Sequence, residues 1–293
     1  MTQFSVVFAG TPDFSCPALE SLIQDARFDV KLVVSQPDRP VGRKQEIAPT
    51  PVKQITQKHG IPVLQPEKIQ EIQTELEAIK PDFFVVIAYG QMLPKSVLDI
   101  AKWNINLHGS ILPKYRGASP IQSALLYGEK VTGVSVMNIE QRMDAGAVYK
   151  THEIQIKPED TAETLFQKIA DLGQLLPNDL DAIAHGLQAQ TQDESQATYC
   201  KKIQKEDGEI HWKEESAQEI LNKLRAFTPW PGVFFFWKNK RIKILSGKVL
   251  QDGKDEFSSS YGFKTNDGYF LPKHVVPEGK KEMGFREWII GNK

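Results

Sequence analysis

The 293-residue chain is 40% hydrophobic and 25% charged, with a formal net charge of -1. Its length exceeds one average domain of about 150 residues, its apolar content suits a sizeable core, and its near-neutral charge argues against a protein that coats nucleic acid along its whole surface. No run approaches the roughly 18 apolar residues of a membrane span, and Met1-Thr2-Gln3-Phe4-Ser5 lacks the basic start and apolar core of a signal peptide, so a soluble cytoplasmic protein is expected. Cys16 and Cys200 lie far apart without a Cys-x-x-Cys pair, which predicts two reduced thiols rather than a disulfide framework or a zinc site.

Taken in chain order, apolar runs at 4–9, 30–35, 83–88 and 105–108 alternate with helical patterns around 18–24, 52–59 and 69–79. That alternation predicts an α/β fold, a Rossmann-like and mostly parallel sheet with helices on both faces. Runs at 133–139 and 148–156 read as a further antiparallel pair flanking Asp144. Asp160 with Glu163 resembles a capping box, followed by Leu165, Ile169, Leu172 and Leu176 at helical spacing until Pro177 disturbs the register. This helix is expected to close a first domain over 1–187. Residues 188–198 are polar without periodicity and read as a linker. From 199 to 293 come Trp212, a helix over 217–227 and short strands at 233–237, 241–245 and 268–271, the pattern of a small open β-barrel.

The two parts differ in charge. Residues 1–198 carry 18 Lys+Arg against 24 Asp+Glu, a net of -6, whereas residues 199–293 carry 18 against 13, a net of +5. A basic second part suits a module that leans on a polyanion, and it equally suits a solvated face.

The segment most able to carry chemistry is Asn104-Ile105-Asn106-Leu107-His108-Gly109-Ser110-Ile111-Leu112-Pro113. Asn106 and His108 are two apart at the end of a strand-like run, so they leave one face while Ile105 and Leu107 leave the other. One side chain supplies an amide donor and the other can hold a proton. Gly109 and Pro113 break the strand, placing the pair at a strand's carboxyl end, where open α/β sheets bind ligands. Each residue alone is more often structural. A lone His near a strand end is commonly a hydrogen-bonded core residue, and Asp144 before Ala145-Gly146 is an ordinary turn former. Gly10-Thr11-Pro12-Asp13 has one glycine where a dinucleotide fold carries Gly-x-Gly-x-x-Gly, which argues against NAD or FAD. The six His residues show no metal-ligand spacing, so no catalytic metal is expected.

The combination of Asn106, His108, Ser110-Ile111-Leu112-Pro113 and Asp144 resembles the folate-dependent formyltransferases. Ile111 stands where that family has Leu, a volume-conserving change. Phe8-Ala9-Gly10-Thr11-Pro12-Asp13-Phe14 and Gln36-Pro37-Asp38-Arg39-Pro40-Val41-Gly42-Arg43 are similar to the branch that formylates methionyl-tRNA; Arg225-Ala226-Phe227-Thr228-Pro229-Trp230-Pro231-Gly232 also fits that branch, and sugar-nucleotide formyltransferases carry something close to it. The resemblance covers essentially the whole chain and implies an OB-like barrel as the tRNA-binding second domain. It also implies a chain that stops a little early, with its last strands missing or shortened.

As implied by that resemblance, the formyl donor is 10-formyltetrahydrofolate, the acceptor is charged initiator tRNA, and the protein acts as a monomer. Asn106 donates to the oxyanion of the tetrahedral intermediate, a role worth about 3 kcal/mol in comparable enzymes. His108 gives a second donor and moves protons, and Asp144 raises its pKa. Ser110, Ile111, Leu112 and Pro113 form a wall for the folate, and the backbone of Ala88, Tyr89 and Gly90 helps bind the pterin ring. Arg39, Arg43 and Lys44, on a Pro- and Gly-containing loop over 36–49, touch phosphate of the tRNA acceptor end. A sugar-nucleotide formyltransferase would share the three catalytic positions, and a non-catalytic RNA-binding protein could share the scaffold.

Overall fold

The segment Phe4–Gly10 is apolar from Val6 to Ala9 because both of its faces are covered there. This strand, β1, sits in the middle of a seven-stranded sheet, with Val6, Val7, Phe8 and Ala9 all fully buried. The computed structural model describes residues 3–42, 45–250 and 262–292. The first elements are α1 (Cys16–Gln24), β2 (Phe28–Val34), β3 (Arg39–Val41), β4 (Glu46–Ala48), α2 (Pro51–Lys58), β5 (Val63–Leu64), α3 (Gln73–Ile79), β6 (Phe83–Ile87), α4 (Lys95–Leu98) and β7 (Trp103–His108). Then follow β8 (Arg116–Gly117), α5 (Pro120–Leu126), β9 (Val131–Asn138), β10 (Val148–Gln155), α6 (Ala162–Leu172), α7 (Leu176–Ala184) and β11 (Tyr199–Cys200). The chain ends with α8 (Ala217–Ala226), β12 (Val233–Trp237), β13 (Lys240–Leu250), β14 (Phe263–Lys264), β15 (Tyr269–Pro277), β16 (Met283–Gly284) and α9 (Phe285–Ile290).

Two compact units are formed, and the chain passes between them more than once. Residues 1–117, 133–154 and 166–199 make the first, and 118–132, 155–165 and 200–293 make the second. In the first unit the strand order is β10-β9-β7-β6-β1-β2-β5. Strands β2, β1, β6 and β7 run parallel, and β9 lies antiparallel to β7. Helices cover both faces. On one side Val7, Ala9, Leu32, Val34 and Phe84 pack against Ile69, Ile72, Leu76 and Val97, all buried. At the amino ends of the strands Phe83 stacks on Trp103 with ring centroids 4.7 Å apart and meets Phe4 edge-on at 5.8 Å. Such a pair adds about 0.5–1.5 kcal/mol to the area it buries.

Several local expectations shift for identifiable reasons. Residues 36–49 are not a plain loop, because β3 and β4 pair antiparallel across it. Its base is fixed by the Asp38 carboxylate, which accepts from Gln65 Nε2 and from Lys53 Nζ and is held below the usual carboxylate range first by the Gln65 bond and then by the Lys53 bond. The cap of α6 is Thr161 rather than Asp160: Thr161 and Thr164 exchange side-chain to backbone hydrogen bonds, while Asp160 turns back to accept from Lys157 N. Pro177 does not end that helix but sits in the first turn of α7, where its missing N–H costs nothing.

In the second unit β12, β13, β15 and β14 form an antiparallel sheet with β16 on β15. Strands β13 and β15 run well past the apolar runs that mark them. A sheet with one open face alternates, as with buried Ile242 and Ile244 between half-buried or exposed neighbours, so the polar half of each strand carries no apolar signal. Register shifts at 244–247 bend the sheet into an open half-barrel. Its core is aromatic, with Trp212 stacked on Phe263 at 4.2 Å and Phe235 edge-on to Trp212 at 5.3 Å. Helix α8 starts in a full capping box between Ser216 and Glu219.

Candidate active site

The carboxyl edge of the first sheet assembles the candidate site. Register places Gly10 opposite Ile87 and Val86 opposite Asn106, so the ends of β1, β6 and β7 come out together where the strand order reverses. Along β7 the residues Asn104, Asn106 and His108 share one face. The first is spent on structure, its amide donating to Leu98 O at 2.8 Å at the end of α4. Asn106 lies two residues further on, half-buried, and among the described residues its amide has no protein partner. His108 is only 6% exposed.

The ring of His108 has a defined orientation. Its Nε2 lies 3.0 Å from Tyr115 O, and a carbonyl can only accept, so Nε2 carries the hydrogen and Nδ1 is left to exchange a proton. Nδ1 faces Asp144 Oδ2 at 3.7 Å, an ion-pair separation too long for a direct hydrogen bond. That same Oδ2 accepts from Gly117 N at 2.8 Å. The short segment Tyr115-Arg116-Gly117 therefore touches His108 with one peptide and Asp144 with another.

The Asp-Ala-Gly turn is shaped by contact with β9. Asp144 has φ +50°, a left-handed conformation that Asp tolerates better than most residues. At Gly146 a Cβ would lie 1.9 Å from Asn138 O, so nothing larger than glycine fits there without moving the backbone.

The Ser110–Pro113 segment is tied down internally. Ser135, fully buried on β9, donates to Ser110 O at 2.7 Å and accepts from Leu112 N at 3.0 Å, while Ser110 Oγ donates to Lys114 O at 2.6 Å. The polar groups of Ser110 are thus committed to the fold, and Ile111, Leu112 and Pro113 present apolar side chains. At the end of β6, Ala88 has φ +48° and Gly90 φ +89°, and Ser15 Oγ and Thr11 Oγ1 donate to Ile87 O and Tyr89 O. Holding alanine in the left-handed region costs about 1 kcal/mol, the kind of strain that clusters at ligand sites. A Cβ built on Gly90 would meet no atom within 4 Å, so its peptide borders open space. The Tyr89 ring is packed in the core at 1% exposure, with burial and then the Glu71 charge pushing its hydroxyl up to about 12. Tyr89 offers this edge its main chain alone.

Of the three basic residues expected on the 36–49 segment, Arg39 is exposed on β3 and pairs with Glu67 at 3.6 Å. Arg43 and Lys44 lie outside the described residues. What the sequence did not single out is the scaffold of the site: Tyr115 and Gly117, which act through peptide groups, and Ser135, a buried hydroxyl on β9. The only available signal was Tyr115-Arg116-Gly117 lying one residue beyond the Ser-Ile-Leu-Pro stretch.

Comparison with known proteins gives the family of the chain. The formyl transferase family model matches residues 3–179, and the model of the formyl transferase C-terminal domain matches 202–293. The methionyl-tRNA formyltransferase of Geobacter metallireducens is 38% identical over 306 residues, spanning 99% of this chain and 96% of that one. That of Acidobacterium capsulatum is 41% identical over 302 residues, spanning 98% and 96%. Among solved structures, the N-formyltransferase from Helicobacter canadensis, in complex with folinic acid and dTDP-3-aminofucose, superposes with a TM-score of 0.68 at 19% identity over 92% of this chain and 99% of that one. The chain belongs to the formyl transferase family, in its methionyl-tRNA formyltransferase branch.

Proposed function

We propose that this protein transfers the formyl group of 10-formyltetrahydrofolate to the amino group of methionyl-initiator tRNA in the cytoplasm. The observation that carries the reading is the strand end of β7, where a half-buried amide without a protein partner precedes a histidine whose free nitrogen faces a carboxylate. Near-full-length identity to methionyl-tRNA formyltransferases supplies the acceptor class.

The residues present fit a reduced folate. Main chain at 88–90 ends a strand beside open space, suited to the polar edge of a flat heteroaromatic ring, and Ile111, Leu112 and Pro113 give an apolar wall. In the reaction the acceptor's amine nitrogen bonds to the formyl carbon, and the bond from that carbon to the folate nitrogen breaks. The Asn106 amide donates to the formyl oxygen as charge gathers there, a stabilisation worth about 3 kcal/mol. His108 Nδ1 takes the amine's proton and returns it to the departing nitrogen, with Asp144 opposite the charge the ring acquires. Arg39, Arg43 and Lys44 contact tRNA phosphate; Arg39 has only an exposed partner to leave, and such pairs are worth about 0–1 kcal/mol.

The test is to offer the protein labelled formyl donor with either charged initiator tRNA or a UDP-amino sugar. Label is expected on the methionyl group. Label on the sugar with none on the tRNA would overturn the reading.

A further inference from the structure

The polar stretch 188–198 carries no helical or strand periodicity, yet it is fastened to the first unit next to Asp144. Gln190 forms an isolated antiparallel bridge with Val148, and Gln192 is 7% exposed. The Gln192 amide is used on both sides. Nε2 donates to Asp144 O at 2.8 Å and to Gly146 O at 2.7 Å, while Oε1 accepts from Arg116 Nε at 3.0 Å and Nη2 at 2.8 Å. Two donors and two lone pairs are the full capacity of a primary amide, so each atom of the group has one role. A glutamate here would have no hydrogens for the two carbonyls, and an asparagine would be one methylene short.

Arg116 is the anchor behind it. The guanidinium is fully buried and also donates to Glu194, from Nη2 to Oε1 at 2.9 Å and from Nη1 to Oε2 at 3.3 Å. The other face of Glu194 accepts from Arg142 Nη2 at 2.6 Å, two residues before Asp144. Flanked by these two cations, first Arg116 and then Arg142, the Glu194 carboxyl is pushed down to about 2. The residue after Arg116 in the chain donates its N–H directly to the Asp144 carboxylate. One arginine is therefore tied to the Asp144 side chain through the neighbouring peptide and to the Asp144 backbone through Gln192.

We propose that Gln192, oriented by buried Arg116, is a positioning residue for formyl transfer: it sets the Asp144 turn at the height from which the carboxylate faces His108 Nδ1. This rests on the reading of Asp144 as a working group. The turn needs such a hold because Asp144 has a left-handed backbone and because the charge contact to His108, at 3.7 Å, does not lock the pair by itself.

The experiment is a double-mutant cycle of Gln192→Glu and Asp144→Asn, read as kcat and KM for both substrates, with thermal transitions to confirm folding. Glutamate keeps the two acceptor bonds to Arg116 and replaces the two donors to the turn with a carboxylate oxygen that faces both carbonyls. Expected is a kcat lower by about ten- to a hundredfold with KM for tRNA and folate changed less than about twofold, and almost no further loss when Gln192→Glu is added to Asp144→Asn. Parent kcat in Gln192→Glu, or a loss that persists undiminished in the Asp144→Asn background, overturns the positioning role. Parent kcat in Asp144→Asn itself would instead sink the role of Asp144. Should Gln192→Glu not fold, Gln192→Asn carries the same cycle with the same expectations.

Discussion

Two regions meet at His108, and they are held by different physics. The end of β7 is placed by sheet register: Asn106 and His108 stand where the pleat puts them, with main-chain pairing to Val86 on one side and to Met137 and Ser135 on the other. The Asp144 turn has no such template. It is held by a glycine that tolerates a backbone oxygen, by the N–H of Gly117 and by the amide of Gln192. A sheet edge fixes groups to within the tolerance that transition-state stabilisation requires, whereas a turn needs side chains from distant sequence to reach it.

This contrast orders the expected effects of mutation. The largest belongs to the strand end. Asn106→Ala is expected to lower kcat by about 10²–10³-fold with folate affinity near that of the parent, because in the proposed mechanism the donor acts on the developing oxyanion rather than on the bound substrate. Turnover at saturating tRNA and folate checks it, and a near-parent rate would remove Asn106 from the mechanism.

On the turn, Gly146→Ala forces the backbone away from Asn138 O and should cost about 10²-fold in kcat while the rest of the sheet remains folded. A crystal structure of the variant should show Asp144 displaced; an unmoved carboxylate with unchanged kcat would mean the turn is positioned by something else.

Smaller again is the pH response at Glu194, in the 188–198 stretch. The folded Glu194 carboxyl lies at about 2 against an ordinary 4.5, with Arg116 as the first cause and Arg142 the second. A depressed carboxyl contributes stability that is present above the unfolded value and is lost as pH falls, so the window runs from about 4.5 down to about 2. Replacing Glu194 by Gln should flatten the fall of melting temperature with acidification in that window. Equal slopes in parent and variant would show that the two arginines do not act through this carboxylate.

The smallest effect is expected at Arg39. Its partner Glu67 is exposed, so Arg39→Ala should leave stability within about 0.5 kcal/mol and reduce the salt dependence of tRNA affinity by about one log-log unit. Parallel salt lines for the two proteins would mean that Arg39 is merely solvated.

The same contrast explains what the sequence could express. Buried strands announce themselves as apolar runs, and the pairing of Asn106 with His108 is a matter of period two, so the α/β sheet and one half of the site were legible from residue order. The Asp144 turn was recognisable only through its likeness to a family, since Asp-Ala-Gly alone is a common turn. Tyr115, Gly117 and Gln192 were silent because two of them work through the main chain and the third has its partners 48 and 76 positions away, at Asp144 and Arg116. Pro177 shows the converse: proline reads as a stop, but a new helix beginning just before it turns the same residue into a start.

The claim that joins the two regions is that Tyr115 O takes the Nε2 hydrogen of His108 and leaves Nδ1 facing Asp144. Its most direct test is the ¹⁵N spectrum of His108 at a pH where the ring is neutral. The predicted result is a ring protonated at Nε2 with an unprotonated Nδ1; a neutral ring carrying its hydrogen on Nδ1 would contradict both the assigned hydrogen bond and the proton transfer built on it.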